Sequence, residues 1–205
     1  MKKIYKRNWL FKIKSLAVFG ALLFAGTASA QMSGNNYTID PSVAKSSTNF
    51  QSFEEMADSI NILGVSGPVT ITAAPVVFTE SFELLDFAGS SLTNTVTIDG
   101  NGATIQDNSG EIINLEDASF ITVKNLIIRN TSSAGECIVI QGESTDILVD
   151  SCELIKTGSR TSSSSIYLLI SEGGNAFTNG SETKENITIT NNYFHNGSTS
   201  GNTGG

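Results

Sequence analysis

From Val69 onward, short apolar-polar-apolar triplets return at a nearly fixed distance, and this period limits the possible folds more than any other feature. Val69-Thr-Ile71, Val96-Thr-Ile98, Ile121-Thr-Val123, Ile147-Leu-Val149 and Ile187-Thr-Ile189 begin 27, 25, 26 and 40 residues apart. A repeat near 26, with about 14 extra residues around Glu172 to Glu185, is the mark of a stacked solenoid. Alternation of period 2 makes each triplet, and Phe82-Glu-Leu84 beside them, a short strand with one buried face; Gly, Asn and Ser supply the turns between.

Three stretches align residue by residue: Phe120 to Asn130, Asp146 to Lys156 and Asn186 to Asn196. Each holds two short strands bent at a polar residue, Asn125, Ser151 or Asn191. Such side chains satisfy turn backbone groups, so stacked coils should line them up as a ladder. A further strand precedes each pair, at Ile113 and Leu115, Ile138 and Ile140, and Ile166, Leu168 and Ile170. Three strands per coil predict an all-β, right-handed parallel β-helix.

The period differs before Gly67-Pro68. Ser52-Phe-Glu-Glu55 has the form of a capping box, in which Ser52 accepts from the Glu55 amide and Glu55 reaches back to the Ser52 amide. Apolar residues at Phe53, Met56, Ala57, Ile60 and Leu63 share one helical face, and Gly64 suits the helix end. One amphipathic helix over about 53–63 is expected to cap the first coil and cover its edge. Residues 31–66 thus form an N-terminal strand and cap, and 67–196 the coils.

Residues 1–30 read as a signal peptide: a basic start, an apolar run from Leu16 to Ala25, and Ala28-Ser-Ala30 for cleavage. About 10 apolar residues fall short of the roughly 20 that span a bilayer. The mature chain should start at Gln31, secreted to the extracellular space or cell surface, with no membrane span after cleavage. Its 20 acidic against 6 basic residues give −14, which repels phosphate backbones and excludes nucleic acid as a partner. In an oxidising compartment Cys137 and Cys152 could pair, or remain two buried thiols.

Tyr37-Thr-Ile39, the helix, Gly67-Pro-Val-Thr-Ile71, the Phe78-Thr-Glu80 step and Asn94-Thr-Val-Thr-Ile98 together resemble the N-terminal part of secreted pectin-lyase-like β-helix proteins of type IX-secreting bacteria. Gln31 after the cleavage site fits that group too. The resemblance implies a fold rather than an activity, because the family mixes polysaccharide lyases, hydrolases and adhesins. Complete members usually continue for more coils and often end in a sorting domain. This chain ends in Asn196-Gly-Ser-Thr-Ser-Gly-Asn-Thr-Gly-Gly205, with 197–205 a flexible end, and is expected to be truncated.

Alternation also assigns outward columns. On the first strand these are Glu83, Asn114, Val139 and Leu169, with Cys137 and Tyr167 beside them. A lyase groove there would carry acids for calcium and a Lys or Arg base, whereas this face is mostly apolar. The second strand presents Thr70, Thr97, Thr122, Leu148 and Thr188, then Thr72, Asp99, Lys124, Asp150 and Thr190. Such Thr arrays resemble ice-binding faces, but Leu148 and three charges interrupt them, and Asp99, Lys124 and Asp150 alternate in sign so that neighbouring coils attract. The third strand presents Ile127, Glu153 and Tyr193, then Arg129, Ile155 and His195, with Arg129 placed to pair with Glu153. His195, the single His, gains no acid or nucleophile from the repeat. Asp146 and Asp150 could touch calcium but lack further ligands at a fixed spacing. Asn-x-Ser/Thr triplets at Asn130, Asn179, Asn186 and Asn196 reflect turn composition.

These readings assign no catalytic residue, no metal ligand and no cofactor, and leave substrate-binding residues and oligomeric state open. The expected function is a non-catalytic module for surface adhesion or glycan contact, with extracellular polysaccharide or a cell surface as partner. The alternative is the N-terminal part of a polysaccharide lyase or glycoside hydrolase whose site lies in further coils, with calcium a cofactor only in that case.

Overall fold

The computed structural model describes residues 30–108, 110–133, 135–157, 168–170 and 186–196. The leader, Ile166, Tyr167, the insertion around 172–185, Asn179 and the 197–205 tail lie outside the described residues, as do the side chains of Leu169 and Asn196.

Strands β1 (Met32–Ile39) and β2 (Asn49–Phe50) precede helix α1 (Phe53–Leu63). The coils then run β3 (Val65–Ala73), β4 (Val77–Thr79), β5 (Phe82–Leu84); β6 (Val96–Asp99), β7 (Thr104–Asp107), β8 (Ile113–Glu116); β9 (Ile121–Lys124), β10 (Ile127–Asn130), β11 (Ile138–Gln141); β12 (Ile147–Asp150), β13 (Glu153–Lys156), β14 (Leu168–Ile170); and β15 (Thr188–Thr190), β16 (Tyr193–Asn196). Every third strand joins the same sheet. Sheet A has the order β15-β12-β9-β6-β3-β1-β2, sheet B β16-β13-β10-β7-β4, and sheet C β14-β11-β8-β5. All of these strand pairs are parallel, and the molecule is a parallel β-helix.

The repeat read from the sequence is the register of sheet A. Val69 pairs Val96, Val96 pairs Ile121, Ile121 pairs Ile147, and Leu148 pairs Thr188 across the longer spacing. Inward residues of the three sheets fill the bore: Ile71, Ile98 and Val123 from A, Ile105 and Ile128 from B, and Leu84, Leu115 and Ile140 from C, all buried. Two features extend the expected strands. β3 begins at Val65, before Gly67-Pro68, because it pairs with β1, and the first two coils have their own sheet B strands in β4 and β7.

The bends follow from local chemistry. Asn125, Ser151 and Asn191, at φ 54°, 53° and 55°, take the left-handed turn between sheets A and B. The ladder there is offset from the expected stack of like residues. Asn125 Nδ2 donates to Asp99 Oδ1 of the preceding coil at 3.0 Å, and Asn191 Nδ2 to Asp150 Oδ1 at 2.8 Å. A carboxylate is the stronger acceptor, so each corner amide reaches back to the strand end of its neighbour. Phe120, Asp146 and Asn186 form a second left-handed column at the entry to sheet A, with φ 61°, 54° and 58°.

Helix α1 starts as a half capping box. Ser52 Oγ accepts from the Glu55 amide at 3.0 Å, but Glu55 reaches past Ser52 to the Gln51 amide at 2.8 Å, where Lys45 also holds it. The Lys45 ammonium and the Gln51 amide keep the Glu55 carboxyl below its ordinary range. Gly64 ends the helix at φ 68° and ψ −169°, a region open to glycine alone, and its N–H donates to Ile60 O at 2.8 Å. Phe53, Met56, Ala57 and Ile60 face the coil end and are buried; Phe53 packs edge-on against Phe78 at 4.9 Å and stacks with Phe82 at 5.6 Å. Burying a ring of this kind stabilises the fold by about 2–3 kcal/mol, which fastens the cap. No described helix is long and apolar enough to cross a membrane.

Candidate functional site

The cap helix meets sheet C along a cleft of about 420 Å³. Asn61 sets the spacing by acting as a short piece of strand: its Nδ2 donates to Glu83 O and its Oδ1 accepts from the Leu85 amide, both at 3.0 Å. Glu54, Asp58 and Asn61 then form one polar stripe of α1, four and three residues apart, facing Glu83, Glu111 and Asn114. The lining holds four carboxylates and no Lys, Arg or His. An outward polar ladder runs on from its floor at Glu83 and Asn114. Asn114 Nδ2 donates to Glu83 Oε1 at 2.6 Å, and Gln141 Nε2 donates to Asn114 Oδ1 at 3.2 Å and to Glu116 Oε2 at 3.4 Å. Such a surface accepts hydrogen bonds from hydroxyl or ammonium groups and repels carboxylates.

Glu83 and Asn114 were expected on this outward column, and the structure brings them together. Val139, next in register, is buried at 3% exposure, and Cys137 lies wholly inside rather than beside the column. The acids of α1 and Glu111 were missed, because the sequence reading used only the apolar stripe of the helix. The signal was the complementary stripe at Glu54, Asp58 and Asn61.

Glu80, at the back of this junction, ties the first coil to the helix start. Its Oε1 and Oε2 accept from the Phe53 and Glu54 amides, both at 3.1 Å, so a residue of the first coil satisfies the free donors at the helix start. Burial pushes its carboxyl above the usual range, and those two amides offset the rise only in part.

The other outward columns lie in the expected register. Thr70, Thr97, Thr122, Leu148 and Thr188 are neighbours, as are Thr72, Asp99, Lys124, Asp150 and Thr190. Lys124 Nζ pairs with Asp99 at 3.1 Å but not with Asp150, whose oxygens accept from Asn191 and Ser151 instead. Burial alone would raise the Asp99 carboxyl; hydrogen bonds from Asn125, Lys124 and the Asn101 amide outweigh it and lower it. Asp146 is engaged by Asn186 Nδ2 at 2.9 Å and Thr145 Oγ1 at 3.0 Å, which leaves it bonded within the wall. Among the described residues, no group of three or more His, Cys, Asp or Glu is arranged to hold a metal.

The expected pair between Arg129 and Glu153 does not form. Arg129 stands level with Ile155, while Glu153 Oε1 lies 2.6 Å from His195 Nε2, whose ring packs on Tyr193 at 4.8 Å. His195 therefore has an acid partner that repeat spacing did not indicate, because the contact runs diagonally between coils. Cys137 and Cys152 are both free and buried, and burial pushes each thiol up to about 11. Each lies within reach of backbone carbonyls: Cys137 Sγ is 3.5 Å from Ile155 O, and Cys152 Sγ is 3.4 Å from Asp150 O. Asn130, the first residue of its triplet, is buried with its amide fully bonded, which suits a turn residue.

No protein-family model matches the chain, and no curated protein or solved structure matches it either.

Proposed function

We propose that this chain is a secreted module, akin to the pectin-lyase-like β-helix proteins, that contacts glycans at a cell surface without cleaving them. The single observation behind this reading is the cleft between α1 and sheet C, where carboxylates and amides offer a row of hydrogen-bond acceptors and donors. Sugar hydroxyls suit such a row, which runs from Glu83 through Asn114 to Gln141 over three neighbouring coils. The cleft has no cationic side chain, so it favours neutral or amine-bearing sugars over uronates. The basic, apolar leader over residues 1–30 supports export.

The test is retention of the purified protein on immobilised neutral, amino and acidic polysaccharides, with product analysis of each eluate. The proposal expects retention on neutral or amino polymers, loss of it in Glu83→Ala, and polymers of unchanged length. Shortened chains or unsaturated ends would favour the hydrolase or lyase alternative. Absence of retention on every polymer would end the glycan reading.

A further inference from the structure

A second cluster lies at the bend that leads from sheet B towards sheet C. Asn130 ends β10 and Lys156 ends β13, and the two occupy one register position on neighbouring strands, which stand about 4.8 Å apart. Both are buried, Asn130 completely and Lys156 at 2% exposure, among Ile128, Leu154, Ile155 and Cys137. A buried lysine beside a buried amide is an uncommon use of an apolar bore, where polar groups require specific partners.

The partners here are specific. Asn130 Oδ1 accepts from the Ser132 amide at 2.9 Å, and Nδ2 donates to Gly110 O at 2.6 Å and Glu136 O at 2.8 Å. Lys156 Nζ donates to Gly135 O, so the ammonium and the Asn130 amide nitrogen bind two consecutive carbonyls. Glu136 directly follows Gly135, whose carbonyl holds the Lys156 ammonium, so its carboxylate is carried on the segment that the ammonium binds.

We propose that Lys156 and Asn130 form an intramolecular isopeptide bond that ties adjacent coils together, with Glu136 accepting the proton that Lys156 must lose. The neutral Lys156 amine attacks Cγ of Asn130. The Ser132 N–H steadies the negative charge that develops on Oδ1, as a backbone donor does in acyl transfer. A new Nζ–Cγ bond forms and the Cγ–Nδ2 bond breaks; Nδ2 takes the proton held by Glu136 and a second proton from Nζ, and departs as ammonium. One ammonium and one amide become one secondary amide and one ammonium ion, so atoms and charge balance without oxidant or cofactor. Burial removes competing water, and the shared register places the two side chains on adjacent rungs. This proposal is independent of the glycan reading.

The test is tryptic digestion and tandem mass spectrometry of the full chain. Between Arg129 and Lys156 there is no other Lys or Arg, so an unlinked chain yields the peptide 130–156. The crosslinked chain resists cleavage after Lys156 and yields 130–160, lighter than its sequence mass by ammonia, about 17 Da. Glu136→Gln, on a half-buried side chain, should fold and give the unlinked 130–156; Lys156→Met should remove the mass loss outright. Recovery of wild-type 130–156 at full mass with a free Lys156, or a mass loss at Asn130 with normal cleavage after Lys156, would overturn the proposal. A crosslink that persists in Glu136→Gln would overturn the role given to Glu136.

Discussion

The two ends of the described coil stack are held by different forces. At the first coil, α1 inserts Phe53, Met56 and Ile60 against Phe78 and Phe82, and all five side chains are buried. At β15 and β16, where Ile187 and Ile189 pack against the core only partly buried, polar links hold the register: Asn186 and Asn191 reach Asp146 and Asp150, and Asn192 Oδ1 accepts from the Cys152 amide while its Nδ2 donates to Val149 O, both at 2.8 Å. Tyr193 is 63% exposed and Phe194 43%. Apolar burial provides the larger energy at the cap, whereas amide links provide exact register at the other end.

Breaking the cap should have the largest effect. Phe53→Ala removes the ring that plugs the coil, and it should lower the unfolding free energy by about 3–5 kcal/mol in denaturant titration. A loss below about 1 kcal/mol would show that the end of the bore does not depend on the plug. Asn192→Ala leaves the Cys152 amide and Val149 carbonyl without their bridge, and it should cost about 1–3 kcal/mol. Hydrogen exchange should locate that loss at β13 and β16 and leave α1 protected; equal deprotection of the cap would contradict the division.

His195→Ala should cost less than about 1 kcal/mol, because both partners of the Glu153 contact are part exposed. Paired melting curves would check this, and a loss well above that figure would contradict it. The smallest expected effect is a slope. Burial raises the Glu80 carboxyl in the folded state, so folding shifts it towards its protonated form relative to the unfolded chain. The stabilisation that follows is complete below the ordinary Glu value of about 4.3 and is lost as pH rises through the raised value. Relative to Glu80→Gln, the wild-type chain should therefore gain stability as pH falls from 7 towards 4.5, and an opposite trend in paired melts would reject this account of the cap.

Most of the fold was legible because its signals are local and repeated. Period-2 alternation gave the sheet A columns in true register, and the helix limits followed from Ser52, the apolar stripe and Gly64. Contacts that cross between elements carried no such signal. Glu80 caps a helix that begins 27 residues earlier, and Glu153 meets a histidine 42 residues away on a diagonal. The candidate cleft was half legible for the same reason. Glu83 and Asn114 stand on one column, but the acids facing them belong to a helix whose docking angle depends on Asn61 and the aromatic plug.

Leu148 stays level with Thr188 although their spacing exceeds the usual period by about 14 residues. Since each rung reads only the rung beside it, added length at one turn leaves the others in step. A lineage carrying this architecture can therefore acquire a new loop, or duplicate a unit of about 26 residues, in a single genetic event. The ancestral rungs would not need to be rebuilt, so novelty can accumulate at the turns while the bore stays as it was.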